Sequence, residues 1–362
     1  MKTIFISTSM PGRARPNYFF ALADSFVKDN YRVIMILDGK IKDFPKHDSI
    51  LFFTWPSKRP TKVADFLFLK GLIKKYKPDT LISSFGSVNV MNLCGWIIGV
   101  KNRINYVLSV SDLFNRETSE MSFIKYSFLK YRKAFIYKLS TLLVANSNGV
   151  VQDLENYYGL KSIKTFVLPN LLEDSKLPYK NYQERNKQLL IVGNLIKLKG
   201  HSILLSQFKN ALKTFSDLKL VIIGSGPEAE RLKFQITSEE IGKHVKIIDS
   251  VDYSDIGSYF SNSLVHISAS INEAFGFVNL EALREGTPII VTRSAGGLEL
   301  IKDNVNGLFF NLKDENSLAD AVFKILNNWE DYSVGARNVF KENYEINSKI
   351  NSHKRLLELK IN

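Results

Sequence analysis

Short apolar runs separated by stretches of helical spacing recur along the chain. Residues 2–7 (KTIFIS) form a β-rich run, and residues 19–29 set Phe20, Leu22, Ala23, Phe26 and Val27 at the spacing of one helix face. Residues 33–37 (VIMIL) and, after the helix-like LFLKGLIKKY, residues 80–82 read as buried strands, and 105–110 and 142–145 add two more. Continuously apolar strands alternating with helices predict a doubly wound parallel sheet. After the strand-like TFVLP the polar stretch 171–187, with Pro178, reads as a linker. The alternation then restarts: a strand at 188–192, a turn at Gly193, a helix at 200–208, a strand at 220–223, the turn Gly224-Ser225-Gly226-Pro227, a charged helix from Glu228 and a strand at 245–248. The expectation is an α/β chain of two Rossmann-like domains, 1–170 and 188–340, facing a cleft. A last helix, 341–362, is expected to cap the second domain and cross back to the first. In such sheets ligands bind beyond the carboxyl ends of the strands.

The segment 265–301 (VHISASINEAFGFVNLEALREGTPIIVTRSAGGLELI) concentrates the candidate chemistry. It reads as strand, loop, helix and strand, with Gly276 making a tight turn and Gly286-Thr287-Pro288 stopping the helix. That helix starts close to Glu273 and carries Glu281 in its second turn. The N–H groups of Gly276, Phe277 and Val278 are then left without intrahelical partners, at the end where the dipole favours an anion. A phosphate there, flanked by two carboxylates that accept from hydroxyls, suits a sugar nucleotide. Taken singly, Glu281 could equally pair with Arg284, and Glu273 could be an ordinary helix-start acid.

Composition narrows the partners more than the fold. A chain of 362 residues, 45% hydrophobic and 23% charged, is that of a folded globular protein with room for two cores. Its one cysteine, Cys94, excludes an internal disulfide and lies in the apolar run MNLCGWII, the setting of a small hydrophobe. The first residues lack the apolar core of a signal peptide, and the longest apolar run, 90–100, is short of the ~20 residues that span a bilayer. A cytoplasmic protein is expected. The net charge of +13 calls for an anionic partner. Residues 121–152 contain no acid, and SFIKYSFLKYRKAFIYKLS interleaves aromatic and aliphatic residues with Lys125, Lys130, Arg132, Lys133 and Lys138. A helix over 121–140 could lie on an anionic membrane surface, each cation adding ~1 kcal/mol, or turn its apolar stripe into the core. No nucleic-acid-binding motif accompanies the charge. The first loop, STSMPGRARPN, lacks the dinucleotide fingerprint G-x-G-x-x-G; Gly12, Arg13 and Arg15 suit an acceptor's phosphate or form a solvated basic loop.

Four motifs in fixed order, VGNLIKLKGH (192–201), IIGSGPEAERL (222–232), NEAFGFVNLEALREGTPIIVT (272–292) and GGLELI followed by NGLFF (296–310), resemble the family-4 glycosyltransferases of the GT-B fold. The resemblance is dense over 188–325 and loose before it. It implies that Glu273 contacts the donor sugar's hydroxyls, that Glu281 binds the ribose, and that Ala274, Phe275, Gly276, Phe277 and Val278 cradle the diphosphate. It further implies that Lys199 neutralises the leaving diphosphate, and that Gly193, Asn194, Gly224 and Gly226 line the nucleotide side. Two positions depart from the family pattern. Asn194 stands where many members have an arginine, with Lys197 or Arg293 as replacements, and Ser111-Asp112 stand on the acceptor side where many have a histidine.

The activity implied is that of a retaining, metal-independent hexosyltransferase. It takes a UDP- or GDP-sugar as co-substrate, needs no other cofactor, and acts on a glycan or lipid-linked glycan of capsule, O-antigen or exopolysaccharide synthesis. No Asp-x-Asp pair offers a metal-dependent alternative. The rival readings are a non-catalytic nucleotide-sugar-binding partner and a UDP-sugar 2-epimerase on the same scaffold. The expected location is the cytoplasm, peripheral on the inner face of the membrane.

Overall fold

The apolar runs become strands buried on both faces. In β1 (Thr3–Thr8) Ile4 and Ile6 join one core cluster while Phe5 joins another. The computed structural model describes residues 1–10, 14–39, 44–111 and 122–361, with no side-chain description of Arg15, Lys360 and Ile361. The chain divides into two units, Met1–Leu171 with Ile346–Asn362, and Leu172–Glu345.

In the first unit β1 is followed by α1 (Ala14–Lys28), β2 (Arg32–Leu37), β3 (Ile50–Thr54), α2 (Val63–Tyr76), β4 (Thr80–Ser84), α3 (Val88–Ile98), β5 (Asn102–Val107), α4 (Phe123–Lys138), β6 (Leu142–Ala145), α5 (Asn148–Asn156) and β7 (Thr165–Val167). The strands form one sheet in the order β3-β2-β1-β4-β5-β6-β7, every neighbour parallel. Val33, Met35 and Leu37 face the cluster built with α1, and Ile34 and Ile36 face the one built with α2 and α3. This two-sided burial is why VIMIL carries no polar alternation. Cys94 lies in the α2–α3 core, where burial pushes its thiol up to about 11.

Three features of the first unit differ from the sequence expectation. Helix α1 starts at Ala14, earlier than 19, because Pro16 falls in the first turn, where a missing N–H costs nothing. Strand β5 is shifted towards the N-terminus of the expected 105–110: its ladder begins with Thr80 against Asn102, and Leu108 and Ser109 leave the sheet. Strand β3 was not anticipated; it is an edge strand whose half-exposed residues blur the apolar pattern.

The second unit holds β8 (Asn186–Val192), α6 (His201–Ala211), β9 (Lys219–Ile223), α7 (Ala229–Ser238), β10 (Val245–Ile248), α8 (Tyr253–Ser261), β11 (Ser263–Ser268), α9 (Phe277–Arg284), β12 (Ile289–Val291), α10 (Ala295–Leu300), β13 (Gly307–Phe309), α11 (Ser317–Asn327) and α12 (Trp329–Asn343). Its parallel sheet has the order β10-β9-β8-β11-β12-β13. Most of the stretch read as a linker is part of this unit. Arg185 is buried, its guanidinium donating to the carbonyls of Ser263 (3.0 Å) and Glu285 (2.8 Å) and to Thr287 Oγ1 (2.7 Å), and stacked on Trp329. Burial brings its pKa down to about 10.

Helix α13 (Ile346–Ile361) belongs to the first unit and packs on α1. Ile350 and Leu357 enter the core, the Tyr18 hydroxyl meets His353 Nδ1 at 3.2 Å, and Lys354 pairs with Asp29. Among the described residues no helix is long and apolar enough to cross a membrane, and no group of three or more His, Cys, Asp or Glu side chains is placed to hold a metal ion.

Candidate functional site

Three loops at the carboxyl ends of β8, β9 and β11 converge in the second unit, and backbone holds them together. The N–H of Gly193 donates to Ile223 O (2.9 Å), that of Leu195 to Ser225 O (2.9 Å) and that of Ile271 to Leu198 O (2.9 Å). Gly224 is required by space: a Cβ there would stand 1.9 Å from Gly193 O, and one at Gly226 would stand 2.4 Å from Leu195 O. The G-S-G-P turn therefore lies directly against the V-G-N-L turn, as close as backbones can pack.

Lys199 ends a short 3₁₀ turn, Lys197–Lys199, and its side chain runs back past Gly193. Its ammonium pairs with the Glu273 carboxylate, both side chains partly exposed at 24% and 18%. Glu273 is fixed from behind, because its carbonyl accepts from the Gly296 N–H at 2.7 Å. Gly276 caps α9 in the left-handed region (φ 86°), and a Cβ there would meet the Asn279 side chain at 2.6 Å. Asn279 faces His266 Nε2 at 3.1 Å, and His266 Nδ1 donates to Leu190 O at 3.0 Å. Burial lowers His266 to about 4, so the ring is neutral and pins α9 to β8 and β11.

Lys199, Gly193, Glu273, Gly276 and the start of α9 are thus brought together, with the Gly224–Gly226 turn beside them. Ala274 and Phe275 are buried, Phe275 against Phe277 and Tyr344, so they offer backbone to the site. Phe277 and Val278 are half-buried in the first turn of α9, where N–H groups point out of the helix. Asn194 and Lys197 are exposed, and Arg293 stacks on Phe309 at 4.2 Å.

Glu281 has different neighbours. It is 5% exposed, it accepts from the Tyr253 hydroxyl, and Arg284 ion-pairs with Glu285 (2.7 Å) in preference to it. Desolvation pushes its carboxyl up to about 7 against the partial opposition of Arg284 and Tyr253.

On the acceptor side, Gly12, Arg13 and Asp112 lie outside the described residues, and Arg15 is described only as backbone in α1. Ser111 is buried, with its N–H (2.9 Å) and its hydroxyl both donating to Asp153. Sequence reasoning missed His201. It is 3% exposed, has no hydrogen-bond partner on either ring nitrogen, and lines a small void with Lys199, Ser268 and Ser270. Its place directly after Lys199-Gly200 was the available signal.

Two doubly wound parallel sheets, one carrying glycine-built loops around a lysine–glutamate pair, define a chain of the GT-B class. Residues 175–344 match the family described as Glycosyl transferases group 1 and residues 16–176 match Glycosyltransferase Family 4. Together these take in most of the chain, which belongs to the group 1, family-4 glycosyltransferases. An uncharacterised glycosyltransferase of Methanocaldococcus jannaschii is 30% identical over 179 residues, 49% of this chain; the match spans 46% of that protein, less than half its length. The Campylobacter jejuni N-acetylgalactosamine-N,N'-diacetylbacillosaminyl-diphospho-undecaprenol 4-alpha-N-acetylgalactosaminyltransferase is 27% identical over 278 residues, 73% of this chain and 72% of that one. Anabaena HepE, solved with UDP and glucose, shares the fold at 16% identity, with a TM-score of 0.71 over 99% of both chains.

A pH test follows from Glu281. The folded chain keeps this proton up to about pH 7, whereas an ordinary Glu loses it near 4.5. Between those values the folded state holds more protons, so stability falls as pH rises through that window, by roughly 3 kcal/mol at most. Glu281→Gln is expected to flatten this decline in urea unfolding at pH 5 and pH 8, stabilising the free chain at pH 8. An equal loss of stability at both pH values would contradict the assignment.

Proposed function

We propose that this glycosyltransferase moves a hexose-type sugar, with retention and without a metal ion, from a UDP- or GDP-sugar held by the second unit to a lipid-linked glycan held by the first. The observation that carries the reading is the Lys199–Glu273 pair at the mouth of α9. An incoming diphosphate competes with Glu273 for the ammonium. Once displaced, the carboxylate is free to accept from sugar hydroxyls, while Lys199 and the α9 amides stabilise the charge that grows on the leaving phosphate. The acceptor oxygen bonds to the anomeric carbon on the face from which the phosphate departs, and its proton passes to a phosphate oxygen. Cleavage and formation on one face leave the anomeric configuration unchanged, and no protein nucleophile is required. HepE, bound to UDP and glucose, and the Campylobacter enzyme, named for a diphospho-undecaprenol acceptor, support the choice of substrates by likeness.

The proposed place of action is the inner face of the cell membrane, in the synthesis of capsule, O-antigen or exopolysaccharide. Helix α4 supports it: Ile124, Phe128, Tyr131 and Phe135 fall at spacings that make one stripe, and all are exposed, as is Phe123. A stripe of this kind on a core-facing helix is buried; here it lies outward among five cations.

Thermal unfolding with UDP-, GDP-, ADP- and CDP-sugars is expected to show a shift with a UDP- or GDP-sugar, since a ligand of the folded state stabilises it by mass action. Lack of any shift would remove the donor site, a shift without transfer to any acceptor would mark a binding partner, and conversion of donor alone would mark an epimerase. On sedimentation with vesicles, Phe128→Ser/Tyr131→Ser is expected to lose most binding to phosphatidylglycerol, and wild type to ignore phosphatidylcholine; equal pelleting of both proteins would take the membrane role away from α4.

A further inference from the structure

The first unit contains a pocket of about 610 Å³, of the size that takes small ligands, beyond the carboxyl ends of β2, β4 and β5. Four cations, Lys58, Arg59, Arg132 and Lys133, line it against one carboxylate, Asp38. The cations come from two places, the loop after β3 and helix α4, and Lys133 is steadied by the rings of Tyr137 (5.7 Å) and Tyr158 (5.4 Å). Asp38 follows the last residue of β2. Its Oδ1 is buried with no hydrogen-bond partner, and burial pushes the carboxyl up to about 6. A buried acceptor atom of this kind calls for a donor from a ligand or water.

Phe85 adds a second mark of a built site. Its backbone lies in the left-handed region (φ 48°), rare for an aromatic residue, and the residue is 48% exposed on the wall of the pocket. Strain of this kind persists where the surroundings hold it and concentrates at ligand sites. Helix α4 then ties the pocket to the exposed stripe. Leu129, Arg132, Lys133 and Tyr137 line the pocket, and each of Phe128, Tyr131 and Phe135 lies within one or two positions of them, about 100° or more around the same helix.

Resting on the reading of the chain as a transferase to lipid-linked glycans, we propose that this pocket is the acceptor's own subsite for a sugar diphosphate. Lys58, Arg59, Arg132 and Lys133 hold the diphosphate, Asp38 Oδ1 accepts from a hydroxyl of the attached sugar, and the sugar's C–H face rests on Phe85. The isoprenoid chain leaves along the apolar stripe of α4 towards the bilayer.

Calorimetric titration of the full chain tests this with five probes: a ten-carbon isoprenyl diphosphate, the matching alcohol, inorganic diphosphate, glucose 1-phosphate and UDP. Arg59 and Arg132 are exposed, so Arg59→Ala/Arg132→Ala should fold as wild type. This variant is expected to bind isoprenyl diphosphate at least tenfold more weakly and UDP within twofold of wild type. Lys199→Ala is expected to do the reverse. Asp38→Asn should weaken glucose 1-phosphate several-fold and leave inorganic diphosphate unchanged. A chain that tightens binding over inorganic diphosphate points to a lipid-borne acceptor, and equal affinity points to a soluble phosphorylated one in the same subsite. Isoprenyl diphosphate bound equally by wild type and Arg59→Ala/Arg132→Ala, or alcohol bound as well as diphosphate, would overturn the proposal. Absence of UDP binding alone would instead count against the donor site in the second unit.

Discussion

Backbone pressed against backbone, with no room for a side chain, sets the site in the second unit. A Cβ at Gly200 would stand 2.2 Å from Ala269 O, one at Gly224 1.9 Å from Gly193 O, and one at Gly296 2.4 Å from Phe275 O. These contacts bring the ends of β8, β9 and β11 and the start of α10 to one point. Lys199 meets Glu273 because Gly200 lets the β8 loop lie on the β11 loop, and Gly296 holds the Glu273 carbonyl from the other side. Any larger residue at these glycines would separate the loops and with them the pair.

The fold was legible because both sheets are buried on two faces, so their strands print as unbroken apolar runs such as VIMIL and KLVII. What stayed hidden followed from local physics. Edge strand β3 is half-exposed, α1 runs through a proline that its first turn tolerates, and the end of β5 is set by ladder register. In the site, glycine spacing and the two glutamates mark the loops in sequence. Burial is not written there: nothing in the sequence says that Glu281 is closed in under Tyr253 while Glu273 stays accessible, or that His201 has no partner. Pocket-lining residues of the first unit were harder still, since Asp38, Arg59, Phe85 and Arg132 come from four separate places in the chain.

On the proposed reading the two units handle anions by different means. In the second, amides at a helix start and one lysine are held rigidly by close-packed loops, the arrangement that suits charge appearing during a reaction. In the first, several long cations stand around a wider pocket beside an exposed apolar stripe, which suits a large, charged and greasy ligand held without reacting at its phosphates. On that reading the net charge of +13 has local uses in both units.

The central claim is that Lys199 exchanges Glu273 for a donor's diphosphate. Calorimetric titration with UDP, which lacks the sugar, tests it most directly. Lys199→Ala is expected to weaken UDP at least tenfold, whereas Glu273→Gln, by removing the competitor for the ammonium, is expected to bind UDP as tightly as wild type or more tightly. Glu273→Gln weakening UDP to the same extent as Lys199→Ala would contradict the exchange.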